Sequence, residues 1–169
     1  MEPLEHHLTF GPVPSRRLGQ SLGINNVTTK SCSYTCVYCQ VGETTEKLIE
    51  PRSFFSPEEI HDAVAQRLRQ TKEAGQKVDY LTFDPDGEPT LDSSLGESIS
   101  ALHSLDIPVA VITNSTLLSR TKLPAALAVA DLVLVKVDSA DEAIWHHVNL
   151  THRQLQLSSL LNRRRHHDK

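Results

Sequence analysis

With 169 residues, 38% hydrophobic and 22% charged, the chain has an ordinary globular composition that can fill one core and leaves no room for two substantial domains. A formal net charge of −4 excludes a global basic field that would draw it to nucleic acid or an anionic membrane, so any RNA contact has to be local. No apolar run reaches the roughly 18 residues a spanning helix needs, and Glu2, Glu5, His6 and His7 stand where an export signal would be basic and then apolar, so the expected compartment is the cytoplasm.

Residues 1 to 9 show no periodicity and read as a loosely held lead-in. Phe10 to Asn26 packs prolines and glycines around Arg16 and Arg17, a pattern expected of an ordered loop leading into a first strand over residues 21 to 27. The arginine pair is either a solvated surface or a grip for a carboxylate or phosphate.

Residues 28 to 42, rich in Ser, Thr and Gly, hold all three cysteines of the chain, Cys32, Cys36 and Cys39, spaced C-x3-C-x2-C. Pairing two would strand the third and close only a short loop, so a metal explains them better than a disulfide. Structural zinc takes four protein ligands, and none of the nine histidines makes a zinc-type pattern with these thiols. Three soft ligands with no fourth cysteine favour an iron–sulfur centre with one open position, with zinc and unligated thiols as the other readings. Tyr34 and Tyr38 are either apolar fill or aromatic cover that keeps water from such a centre.

Ser56-Pro57-Glu58-Glu59 predicts a capped helix start, and Ile60, Val64 and Leu68 form an apolar stripe up to a stop at Gly75. Residues 78 to 83 predict a second strand, followed by the turn-rich Asp84-Pro85-Asp86-Gly87-Glu88-Pro89-Thr90. Taken alone this is a solvent-exposed turn; one βα unit after a cysteine loop, Glu88 becomes a candidate acceptor for a ligand ammonium. A weak helix is expected over residues 92 to 105, with Leu95, Ile99 and Leu102 inward, and a buried strand over residues 107 to 113. Asn114 then caps the next element or reaches a ligand from the strand end.

A helix over residues 123 to 130 and a fourth strand over residues 131 to 138 follow, the strand interrupted by Lys136, which needs a partner or a place at a mouth. Asp138 faces a ligand or caps the short helix expected over residues 141 to 148. Residues 153 to 169 read as a basic polar tail.

The C-x3-C-x2-C spacing with Tyr38 just before the last cysteine resembles that of radical S-adenosylmethionine (radical SAM) enzymes. The GPVPSRRLG opening and the PDGEPTLD stretch resemble a subfamily related to the wybutosine-synthesising tRNA enzymes. This likeness implies that Cys32, Cys36 and Cys39 hold a 4Fe–4S cluster whose fourth iron is chelated by S-adenosylmethionine. It also carries cofactor binding to Gly87, Glu88 and Pro89, with Thr90, Asn114 and Asp138 beside them and Tyr38 next to the cluster. The family's Thr-Asn-Gly has Ser115 in place of the glycine here, Lys136 stands in a segment usually uncharged, and Asn149-Leu150-Thr151-His152 keeps part of an Asn-Arg-Pro-His pattern.

Alternating strands and helices predict an α/β fold with a parallel sheet, and the resemblance implies a partial (β/α) barrel of the radical SAM type, incomplete at about four βα units. The core is expected over residues 10 to 152. Because the likeness stops after His152, the expectation is a truncated or frameshifted member. The functional expectation is a cluster- and S-adenosylmethionine-dependent oxidoreductase that generates a 5′-deoxyadenosyl radical and draws electrons from a flavodoxin- or ferredoxin-like donor. The other expectation is a non-catalytic iron–sulfur or zinc binding module with a regulatory role.

Overall fold

In the computed structural model, residues 8–164 are described. The first residues of the expected lead-in and the last five of the expected tail lie outside this range. The sheet has five strands in the order β1 (Thr9–Ser15), β2 (Gly19–Ile24), β5 (Tyr80–Phe83), β6 (Val109–Thr113) and β7 (Leu132–Val135). β1 runs antiparallel to β2, and the other neighbours are parallel. The chain is therefore α/β with a sheet that is parallel apart from one edge strand.

β1 is not apparent in the sequence because Pro12 and Pro14 remove ladder donors. An edge strand tolerates that loss, since one of its sides has no ladder partner. The hairpin makes Gly23 indispensable: a Cβ there would fall inside the Phe10 ring. It also sends exposed Arg16 and Arg17 to the amino-terminal end of β2, at the opposite end of the sheet from the cysteine loop.

The helix α1 (Pro57–Glu73) starts as its sequence requires. The Glu59 amide donates to Ser56 Oγ at 3.1 Å and the Ser56 amide to Glu59 Oε2 at 2.7 Å, so two orphan donors are satisfied reciprocally. Ile60 and Val64 are fully buried against β2, β5 and the helix α2 (Leu95–Leu102), whose Leu95, Ile99 and Leu102 complete the layer. The expected helix over residues 92 to 105 is shorter, starting at Leu95 and passing into a 3₁₀ turn after Leu102. A 3₁₀ turn (Pro89–Leu91) precedes α2 and another (His103–Leu105) ends it. Gly96, which weakens the helix, is needed for packing, since a Cβ would come within 3.0 Å of Ala126 in α3 (Leu123–Leu127).

Beyond β7 come α4 (Glu142–Asn149) and α5 (Leu157–Arg164). The α4 cap is Asp141, whose side chain accepts from the Ile144 amide at 2.9 Å, and so Asp138 is free for another task. Part of the segment read as a polar tail is helical and packed: Leu157 is buried with Tyr34 and Trp145, flanked by Leu155, Leu160 and Leu161. The sequence signal was weak because these leucines sit among polar and basic residues. No described helix is long and apolar enough to cross a membrane.

Candidate functional site

Parallel register brings the carboxyl ends of β2, β5, β6 and β7 to one end of the sheet, and each strand is followed there by one of the singled-out stretches. They surround a cleft of about 340 Å³ lined by Cys32, Cys36, Cys39, Tyr38, Gly87, Glu88 and Asn114, with Lys136 on its wall. Pro89, Thr90 and Asp138 do not line it.

The cysteine loop is closed at its base by two short parallel strands, β3 (Ser31–Cys32) and β4 (Glu46–Lys47). Ser31 and Lys30 tie it to the Asp86–Glu88 turn. The Glu88 amide donates to the Ser31 carbonyl at 3.0 Å and the Lys30 amide to the Asp86 carbonyl at 2.6 Å. Gly87 sits where a Cβ would overlap the Ser31 carbonyl oxygen and lie 2.9 Å from Val27 Cγ2. Gly87→Ala is accordingly expected to push the two loops apart and cost about 1–3 kcal/mol. Urea unfolding of the two chains measures this, and an unchanged midpoint would show that the loops can separate freely.

Glu88 is 1% exposed, yet its carboxylate is well supplied with donors. Oε1 accepts from Thr90 Oγ1 at 2.5 Å, Thr113 Oγ1 at 2.6 Å and the Thr90 amide at 3.2 Å, while Oε2 accepts from the Asn114 amide at 2.8 Å. Burial raises its pKa, opposed by the bonds from Thr113, Thr90 and Asn114. Oε1 is saturated. Oε2 keeps one lone pair for a further donor. Thr90 and Pro89 thus serve the site from behind Glu88.

Asn114 joins the end of β6 to the cysteine loop. Its Nδ2 donates to Ser33 Oγ at 2.9 Å and points to Cys32 Sγ at 3.7 Å, while its Oδ1 accepts from Thr116. Ser115, standing where a glycine would be at ease, takes a left-handed φ of 67°. Its single hydroxyl proton goes to the Asn114 carbonyl at 2.6 Å, with the Lys136 carbonyl at 3.2 Å as the more distant acceptor, offsetting a conformational cost of about 1–2 kcal/mol.

α4 braces the cysteine loop from behind, without lining the cleft itself. The amides of Thr35 and Val37 donate to the carbonyls of Asn149 and Val148 at 2.8 and 3.0 Å, and the His152 amide donates to the Ser33 carbonyl at 3.1 Å. Trp145 Nε1 donates to the Tyr34 hydroxyl at 2.8 Å, with the two rings edge to face. Asp138, at the end of β7, accepts from the Tyr38 hydroxyl at 2.7 Å and pairs with Lys136 at 3.1 Å. Ser33, Thr116 and Trp145 are site-building residues that carry no motif signal. Only their long-range bonds reveal them.

Burial first, and then the negative Glu88, push the Cys32 thiol up to about 12. On Lys136 burial disfavours the charge, but bonds to Tyr38 and Cys36 outweigh it and hold the ammonium above the ordinary lysine value. Among the described residues no three metal-binding side chains converge on one point, and no histidine lines the cleft. Three thiols on one loop are a soft donor set that fits an iron–sulfur cluster better than zinc.

The family model of the radical SAM superfamily matches residues 26–163. The chain belongs to the radical SAM superfamily. A UPF0026 protein of Methanocaldococcus jannaschii is 51% identical over 154 residues, covering 91% of this chain and 47% of that protein. A UPF0026 protein of Synechocystis is 39% identical over 132 residues, covering 76% and 47%. This radical SAM chain thus spans about half the length of the curated relatives it matches. Among solved structures, TYW1 with a lysine-pyruvate adduct bound superposes with a TM-score of 0.61 at 18% identity, covering 84% of this chain and 49% of that one. At that identity the likeness concerns the fold, the partial barrel of radical SAM enzymes.

Proposed function

We propose that Cys32, Cys36 and Cys39 hold a 4Fe–4S cluster with one iron left for S-adenosylmethionine, and that the chain supports reductive cleavage of that cofactor. The observation that carries this reading is the cleft itself, which three thiols from one loop and a buried carboxylate from the next βα unit line together. When bound, the cluster supplies an electron to the sulfonium, giving methionine and a 5′-deoxyadenosyl radical. The protein's part is binding, orientation and exclusion of water.

The spare lone pair of Glu88 Oε2 receives the cofactor ammonium, in a charge-assisted bond favoured by burial. Gly87 leaves the turn close against the cysteine loop, and Thr90 and Thr113 keep Glu88 from rotating away. Asn114 fixes the distance between the loop and the end of β6. Tyr38 covers the outer side of the cleft, and Asp138, which stands outside the cleft, holds Tyr38 there. Electrons come from a flavodoxin- or ferredoxin-like donor.

The test is anaerobic reconstitution with iron and sulfide, followed by S-adenosylmethionine and dithionite, with 5′-deoxyadenosine measured by chromatography. Cluster formation with 5′-deoxyadenosine is the expected result. Absence of any cluster sinks the proposal. A cluster that binds S-adenosylmethionine and yields no 5′-deoxyadenosine makes the chain a binding module instead.

A further inference from the structure

Lys136 lines the cleft, and this reading leaves it without a task. It follows β7 and reaches across the cleft to the cysteine loop, 100 residues away in sequence. Its ammonium has three N–H donors and meets three acceptors, each at 3.1 Å: Cys36 Sγ, Asn149 Oδ1 and Asp138 Oδ2. The rings of Tyr34 and Tyr38 lie 5.2 and 4.9 Å from it. The cation is fully engaged and cannot swing away without breaking all of these contacts.

The geometry around Asn149 shows what the cation is for. As a thiol, Cys36 donates to Asn149 Oδ1 at 3.3 Å. Binding to a metal removes that proton, leaving a thiolate facing an amide oxygen, two acceptors with no hydrogen between them. The amide is held against turning, because its Nδ2 already donates to the Trp145 carbonyl at 3.1 Å and the residue is fully buried. Lys136 bonds both acceptors, so its N–H groups take over when the thiol proton leaves. Cys32, by contrast, faces only neutral donors, the Tyr34 amide at 3.5 Å and Asn114 Nδ2 at 3.7 Å.

Resting on the proposed cluster, we infer that Lys136 is a positioning residue that holds the Cys36 ligand with a charged N–H···S bond and raises the reduction potential of the cluster. One electron entering from an external donor adds negative charge beside Cys36, and Lys136, keeping all its protons, favours that charged state. Asp138 moderates the effect by partly neutralising the ammonium.

The test is a mediator-poised redox titration of reconstituted protein without S-adenosylmethionine, followed by electron paramagnetic resonance. In Lys136→Met the ratio of reduced to oxidised cluster at a fixed potential is expected to fall about tenfold, a shift of about 59 mV for one electron. Asp138→Asn, which leaves the cation unneutralised, is expected to move the ratio the opposite way, and Lys136→Arg to restore most of the wild-type value. Equal potentials in wild type and Lys136→Met at equal iron content overturn the inference while leaving the proposed function intact. Should the Met variant fail to fold or load, Asp138→Asn decides: a raised ratio supports the inference and an unchanged or lowered one overturns it. A wild-type chain that takes up no cluster removes both readings.

Discussion

Anaerobic reconstitution of the Cys36→Ala chain is expected to leave less than about a tenth of the wild-type iron, with the visible absorption of the cluster lost. In the proposed cluster each thiolate would carry one iron, and structural thiolate–metal bonds are worth far more than any neighbouring contact can replace. No soft substitute stands by, since among the described residues the cleft holds no histidine and no cysteine besides these three, only hard carboxylates such as Asp84 and Asp86. The fold should survive the change. Cys36 is only partly buried, and the loop around it is held by backbone bonds to Asn149, Val148 and His152 that the substitution does not touch. Circular dichroism should therefore stay at the wild-type level while iron is lost. A cluster that persists in this variant would show that the cysteine loop is not its seat.

Replacing Glu88 has the second large effect, and two variants separate its causes. Glu88→Ala strands the buried Thr90 and Asn114 amides and two threonine hydroxyls, at a cost of about 3–5 kcal/mol. Asn114 also supports Ser33 in the cysteine loop, so this variant is expected to lose some iron along with stability. Glu88→Gln keeps the shape and the acceptor that Thr90 and Thr113 need. It is expected to load iron normally and to bind S-adenosylmethionine at least about tenfold more weakly, as the charged acceptor for the ammonium is gone. Iron assays and equilibrium dialysis measure the two properties. Parallel loss of both in the Gln variant would mean that Glu88 only braces the loops.

Much of this architecture is legible in the sequence. The capping box of α1, the stripe of Ile60 and Val64, and the apolar runs of β5 and β6 are local signals, and each forms close to where it is expected. The three thiols and the Gly87–Glu88 turn are legible for the same reason, each occupying consecutive positions of one loop. What is missed has a common character. β1 hides behind prolines that only an edge position permits, and the helix expected over residues 92 to 105 starts only at Leu95, because the Asp92 carboxylate is spent on distant Asn26 and on the Ser94 amide. α5 packs through leucines whose partner, Trp145, belongs to another helix.

Residue type and spacing thus settled the chemistry available to the protein: three thiols in one loop, one carboxylate after the next strand, and a parallel sheet to carry both. The meeting of those groups was a tertiary matter. Sheet register sets Thr113 beside Val135, which brings Asn114 and Lys136 to the same rim, and the docking of α4 turns Asn149 toward Cys36. Each bond joins residues dozens of positions apart, held together by strand pairing and burial, to which no local pattern answers.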